Sequence, residues 1–140
     1  MVYLMILIFV GFTLYNLRGI RDLEIRVKIG PVYNIILILA GILYIYMAYR
    51  LKKEYASFIL CLAAEAYLIT KIYSQGIGKD GIYVFQGSSL IRKLGREDIK
   101  KIKIDRQKNK IEIYADSTIY KQDYDDKDFK KVLDLIEEFK

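Results

Sequence analysis

Apolar positions along residues 1–75 fall into three nearly continuous runs, Val2 to Leu17, Val32 to Tyr49 and Ala56 to Tyr73, joined by short charged connections. Each run holds 16–18 residues, which as a helix spans about 24–27 Å, close to a hydrocarbon core of ~30 Å. Tyr3, Tyr15, Tyr33, Tyr49, Tyr55 and Tyr73 fall at or near the run ends, where aromatic rings favour the membrane–water boundary. Three such runs leave too little partner sequence to cover them as core helices, so the pattern predicts three membrane-spanning helices. No basic stretch precedes the first run and no small-x-small pattern follows it, so it is expected to be retained rather than cleaved.

From residue 76 the pattern changes. Alternating or strand-like stretches occur at Ile82–Gln86, Leu90–Leu94, Ile99–Asp105, Lys110–Ala115 and Thr118–Asp123. Gly87-Ser88 suits a tight turn between the first two. A four-residue loop, Arg106 to Asn109, suits a hairpin between the third and fourth. Pairing across that loop sets Ile104 opposite Ile111 and Ile102 opposite Ile113. On the other face it sets Asp105 opposite Lys110 and Lys103 opposite Glu112, so one face is apolar and the other matches opposite charges. The chain then closes on an amphipathic helix. Asp125 or Asp126 caps it, Asp128 favours its dipole, and Phe129, Val132, Leu133, Ile136 and Phe139 form the apolar stripe. The fold class is thus a membrane α region, residues 1–75, followed by a soluble α+β domain, residues 76–140, with an antiparallel sheet of about five strands. The first connection, Asp22 to Ile29, also alternates polar and apolar positions without a break. We expect it to add to an edge of the tail sheet, although eight extended residues span about 27 Å, which requires long or tilted first and second helices.

Gly76 to Gly81 (GIGKDG) matches G-x-G-x-x-G letter for letter, but that motif binds a pyrophosphate between a strand and a helix. Here it follows an apolar run and precedes a strand pattern, and it reads as a flexible connector.

Charge refines this division. The net charge is +6, with 23 Lys/Arg and 17 Asp/Glu. Much of the basic excess lies in the connections, as membrane topology requires. Arg18, Arg21, Arg26, Lys28, Lys71 and Lys79 stand on one side against Arg50, Lys52 and Lys53 on the other. This predicts the N-terminus outside and the tail in the cytoplasm. Within the tail, Arg92–Lys110 is basic and residues 116–138 are acidic. The face carrying Arg92, Lys93, Lys100, Lys101 and Lys103 is therefore a candidate contact for anionic lipid or a partner. Nucleic acid is excluded as a partner because no aromatic residues interleave these cations as stacking platforms.

Glu65 sits near the middle of the third run among Ala63, Ala64 and Ala66. An ionised carboxylate at that depth costs roughly 2.5 kcal/mol or more, so it must be neutral or paired. A hydrogen bond to Tyr44, Tyr46 or Thr13 would satisfy it, and the alanines favour close helix packing. Packing or assembly is the expected role. A proton or cation site in a small transport or channel subunit is the alternative. Lys71, near the helix end, can snorkel to the boundary. There is no histidine, and the lone Cys61 lies in an apolar run. Ser88 and Ser89 therefore have no imidazole base, and no metal or other cofactor is expected. The acidic Asp123, Asp125, Asp126 and Asp128 lack the glycine and glutamate of a calcium loop. The chain is expected not to be an enzyme.

Gly81-Ile82-Tyr83 opening the first tail strand, Arg96-Glu97-Asp98-Ile99 leading into a basic strand, Lys108-Asn109-Lys110-Ile111-Glu112-Ile113 and the terminal helix together resemble a bacterial pleckstrin-homology-like (PH-like) module. The likeness covers about half the chain. It is similar to small, uncharacterised bacterial membrane proteins that join a few helices to such a module. No Trp precedes the acidic-Ile step, and five strands are predicted where that fold usually has seven. The resemblance implies a binding or scaffold module and no particular ligand. With the three spans and the basic face, the expectation is a protein of the cell inner membrane that meets membrane lipids and a protein partner or a second copy of itself.

Overall fold

The structure, a computed structural model, describes residues 1–50, 55–85 and 91–138. The expected turn at Gly87-Ser88, the serines 88 and 89, the cations 52 and 53, and Phe139 lie outside the described residues. Among those described, three long apolar helices come first: α1 (Val2–Asp22), α2 (Pro31–Arg50) and α3 (Tyr55–Tyr73). Each is long and apolar enough to cross a membrane. Their outward side chains are large and apolar; Leu7, Ile38, Ile45 and Leu62 are each more than 60 % exposed. An exposed apolar surface of this extent marks a face that meets lipid or other protein rather than water. Helix α3 packs on both α1 and α2. Tyr67 of α3 sits 5.6 Å from the Phe9 ring and 5.7 Å from the Phe12 ring of α1.

Helix α1 runs five residues beyond the apolar run, because nothing between Arg18 and Asp22 breaks it. It ends where the Leu23 amide donates to the Ile20 carbonyl. The chain enters β1 (Leu23–Arg26) at once. Strand β1 pairs antiparallel with β2 (Gly76–Gly78), which pairs with β3 (Gly81–Phe85), which pairs with β4 (Ile91–Leu94). The first connection therefore does join the tail sheet. The geometric objection falls because α1 is long and the paired segment is only four residues. Pairing continues past it: the Val27 amide donates to the Gln75 carbonyl and the Lys28 amide to the Asp123 carbonyl.

The second sheet comprises β5 (Ile99–Asp105), β6 (Lys110–Ala115) and β7 (Thr118–Asp123), followed by α4 (Asp126–Glu138). The β5–β6 register is Ile102 to Ile113, Lys103 to Glu112, Ile104 to Ile111 and Asp105 to Lys110, as the alternation predicts. The ion pairs run the other way, into β7: Lys110 meets Asp123 at 3.4 Å and Lys121 meets Glu112 at 3.3 Å. Hydrogen bonds from Lys121 and then Tyr114 hold the Glu112 carboxyl below the usual carboxylate range. The described strands thus number seven, in sheets of four and three, rather than the five expected.

The inner faces of both sheets and α4 share one core. Ile25 of β1, Ile77 of β2, Ile82 and Val84 of β3 and Leu94 of β4 pack with Ile111, Ile113, Phe129, Val132 and Ile136. Leu135, not assigned to the stripe from sequence, is buried, while Leu133 packs against the core partly exposed. One polar chain crosses between the sheets. The Tyr124 hydroxyl donates to Gln122 Oε1 at 2.7 Å, and Gln122 Nε2 donates to the Tyr83 carbonyl at 2.8 Å. Both side chains are buried.

The segment read as a flexible connector is instead strand β2, buried at all three positions. Its glycines misled the reading, because glycine in a strand signals either flexibility or the close approach of another backbone. Here it is the second. Gly76 has φ +152°, and a Cβ there would overlap the Ile25 carbonyl oxygen; a Cβ at Gly78 would lie 2.5 Å from the Asp22 carbonyl oxygen.

Gly76→Ala is accordingly expected to destabilise the whole chain by on the order of 2–4 kcal/mol, combining backbone strain with overpacking. Thermal melting in detergent, with Gly11→Ala as control, measures it; equal melting temperatures would refute the close-approach argument. Burial raises the Tyr124 hydroxyl far above its ordinary 10.0. The native state therefore keeps a proton that the unfolded chain releases above that value. The associated stability is intact below about pH 10 and is lost as pH rises beyond it. Melting temperature should fall between about pH 10 and 11.5 less steeply in Tyr124→Phe than in the parent.

Candidate functional site

Polar groups gather at the junction where α1 and α3 meet the sheets. Tyr83 of β3 lies against α1, its ring 3.8 Å from where a Cβ on Gly19 would stand, and its hydroxyl faces Asp22 Oδ2 at 3.5 Å. Burial first, and Asp22 second, push the Tyr83 hydroxyl up from its usual value. Lys71 of α3 extends over the Phe85 ring at 4.5 Å and the Tyr67 ring at 5.4 Å, so it reaches out of the helix end toward the sheet. Around these contacts a cavity of about 240 Å³ is lined by Asn16, Arg18, Asp22, Ser74, Tyr83 and Lys93, among others. Asn16 is 1 % exposed, and neither its Oδ1 nor its Nδ2 has a hydrogen-bond partner among the described residues.

A second set of polar contacts ties the first connection to the module's far side. Lys28 pairs with Asp125 at 3.2 Å, and Glu24 pairs with Lys131 of α4 at 3.3 Å. Exposed pairs of this kind contribute only ~0–1 kcal/mol each, so they orient the connection more than they hold it.

Of the five cations proposed as one face, Arg92 and Lys100 meet at Asp116, and the other three are placed apart from that contact. Arg92 is engaged by Asp116 at 2.8 Å and Asp98 at 3.4 Å, and the hydrogen bond to Asp116 chiefly raises its pKa. Lys93 reaches Asp80 only at 3.9 Å and lines the junction cavity. Lys100 donates to the Asp116 carbonyl at 2.9 Å. Lys101 is exposed on β5, in the other sheet. Lys103, also on β5, lies over the Tyr114 ring at 5.1 Å.

Glu65 lies between α2 and α3 in an open groove of about 440 Å³ whose other walls include Ile38, Gly41, Ile42 and Ile69. Its Oε2 is buried without a hydrogen-bond partner among the described residues. Tyr44 stands three residues beyond Gly41 on α2, whereas the Thr13 hydroxyl donates to its own helix at the Phe9 carbonyl. Gly41, like Asn16 at the junction, is a residue that sequence reasoning missed. A Cβ on Gly41 would stand in ordinary contact with the carboxyl, 3.6 Å from Glu65 Oε1, so Gly41 is the point of α2 that lies directly against Glu65. The signal was a glycine in the middle of an apolar run, legible only once its partner helix is known.

No known protein family matches the chain, and neither a characterised protein nor a solved structure is similar to it.

Glu65→Gln keeps the volume and a hydrogen-bonding group, and is expected to melt within about 0.5 kcal/mol of the parent. Gly41→Leu forces a side chain into the carboxyl and should cost about 1–3 kcal/mol. Detergent melts of the two variants side by side check this; a large loss in Glu65→Gln alone would show that the ionisable group itself is needed.

Proposed function

We propose that this chain is a non-enzymatic integral membrane protein of the inner (cytoplasmic) membrane. Its three helices cross with the N-terminus outside, and they hold a PH-like binding module against the inner leaflet. The observation that carries this reading is the pairing of β1 with β2. A strand drawn from between two apolar helices is part of the module's own sheet, so the module is fixed at the membrane surface and cannot swing on a tether. Seven antiparallel strands in two sheets, closed by a C-terminal helix over a shared core, support the PH-like reading better than the five strands expected from sequence.

A module fixed in this way works as a scaffold, presenting one side to the head groups and the other to a partner. The outer face of the second sheet, with Ile119 half exposed beside Tyr114 and Lys103, is the side turned to a protein partner or a second copy. The competing reading, a transport or channel subunit acting through Glu65, is supported by the unpartnered Oε2. Packing is favoured by the groove around the carboxyl, whose other walls are mostly apolar, with Gly41 of α2 directly against Glu65.

With Cys61→Ser as background, a membrane-impermeant maleimide is expected to label Lys108→Cys only after the membrane is opened. Labelling in intact cells would reverse the orientation and sink the inner-leaflet reading. A photo-crosslinker at Ile119 in native membranes, followed by mass spectrometry, should return one defined protein or the chain itself; a clean monomer would remove the scaffold role.

A further inference from the structure

The junction cavity holds a group that the fold does not explain. Asn16 is almost wholly buried, yet both atoms of its amide lack partners among the described residues. A buried amide left unpaired is destabilising, and leucine in its place would avoid the loss. The neighbouring polar groups face elsewhere. The Ser74 hydroxyl donates to the Lys71 carbonyl at 3.0 Å, and the Tyr83 hydroxyl faces Asp22. At the wall stand two exposed cations, Arg18 and Lys93, and one carboxylate, Asp22. Arg18 forms no ion pair with any described residue, and Lys93 holds Asp80 only at 3.9 Å. The lining therefore carries one net positive charge over a deep amide that can both donate and accept.

We propose that this cavity binds a phosphate ester, the head group of an anionic phospholipid. The phosphodiester sits on Arg18 and Lys93, and its small alcohol reaches the Asn16 amide. A single negative charge matches the lining charge, and a hydroxyl-bearing head group supplies the donor and acceptor that the amide lacks. The position supports a lipid source. Asn16 lies at the end of the apolar run of α1 and Arg18 one half-turn beyond, at the depth of the head groups if the helices span as proposed above. Cationic pockets beside the cytoplasmic ends of membrane helices bind anionic head groups by the same chemistry. The inference rests on that reading of the topology. A soluble phosphate ester shares the chemistry and is separated from lipid by the test.

The full chain is assembled in nanodiscs of phosphatidylcholine doped with phosphatidylglycerol, and co-retained lipid is read by native mass spectrometry. The parent should retain phosphatidylglycerol over phosphatidylcholine by about tenfold, and Asn16→Leu should abolish the preference, since two neutral hydrogen bonds between the amide and the head-group alcohol are together worth about that factor or more. Arg18→Gln, an exposed change that leaves folding intact, should reduce the preference about fivefold. Lys127→Gln, exposed on α4 and outside the cavity, should leave it unchanged. In detergent without lipid, glycerol phosphate raising the melting temperature of the parent but not of Asn16→Leu would support the phosphate-ester site and assign a soluble source. Equal retention of both lipids with no protection by glycerol phosphate would overturn the proposal. So would an Asn16→Leu protein that melts higher and keeps its lipid preference, the signature of an amide merely orphaned or hydrated. Loss of preference with Lys108→Cys still protected in intact cells retires the site alone. Labelling of Lys108→Cys in intact cells retires the topology, while the nanodisc result stands on its own.

Discussion

The backbone contact between β1 and β2 is the constraint from which the rest of this structure follows. Two segments that each leave an apolar helix meet as antiparallel strands, and they can do so because Gly76 and Gly78 present no side chain to the Ile25 and Asp22 carbonyls. Backbone hydrogen bonds shielded on both sides are short-range and directional, so they fix distance and register together. Helix α1 must therefore end at Asp22, and α3 must end three residues before Gly76, at Tyr73. Every other contact at the junction, from Tyr83 on Gly19 to Lys71 over Phe85, is placed by that pairing.

The consequence for the core is that it has no boundary at residue 76. Ile25 is buried among residues of both sheets, although it belongs by sequence to the connection between two apolar helices. The amide of Lys28 donates to Asp123 at the end of β7, so the same connection also bridges the gap between the two sheets on that side. Gln122 and Tyr83 bridge them in the interior. The helical region and the tail thus differ in composition but share strand β1 in packing.

What could be read from the chain depended on whether the signal was local. The β5–β6 register was legible because four residue pairs had to agree in polarity on two faces at once, and no other register satisfies them. The alternation at Asp22 to Ile29 was legible as a strand, though its partner was not. Strand β2 was hidden because a glycine-rich stretch reads as a loop unless a neighbouring backbone is known to need the space. Leu135 was missed since it stands at the edge of the stripe defined by Phe129, Val132 and Ile136, and the width of a buried face depends on what covers it. Among the site residues, Glu65 announced itself as a charge in an apolar run. Gly41 and Asn16 did not. A glycine and a terminal asparagine are common in such runs, and their roles appear only when α2 and the sheets are in place.

Strand β1 is made early, and its partner follows only after two more apolar helices. On the proposed topology, the core closes only once both of those helices have been inserted and have returned the chain to the same side. A chain whose second or third helix failed to enter the bilayer would leave the β2 edge unpaired and Ile77 without the strand that covers it. Unpaired edges and exposed core residues are what cellular quality control detects. Completion of the sheet thus reports, in the folded domain, that membrane insertion has finished.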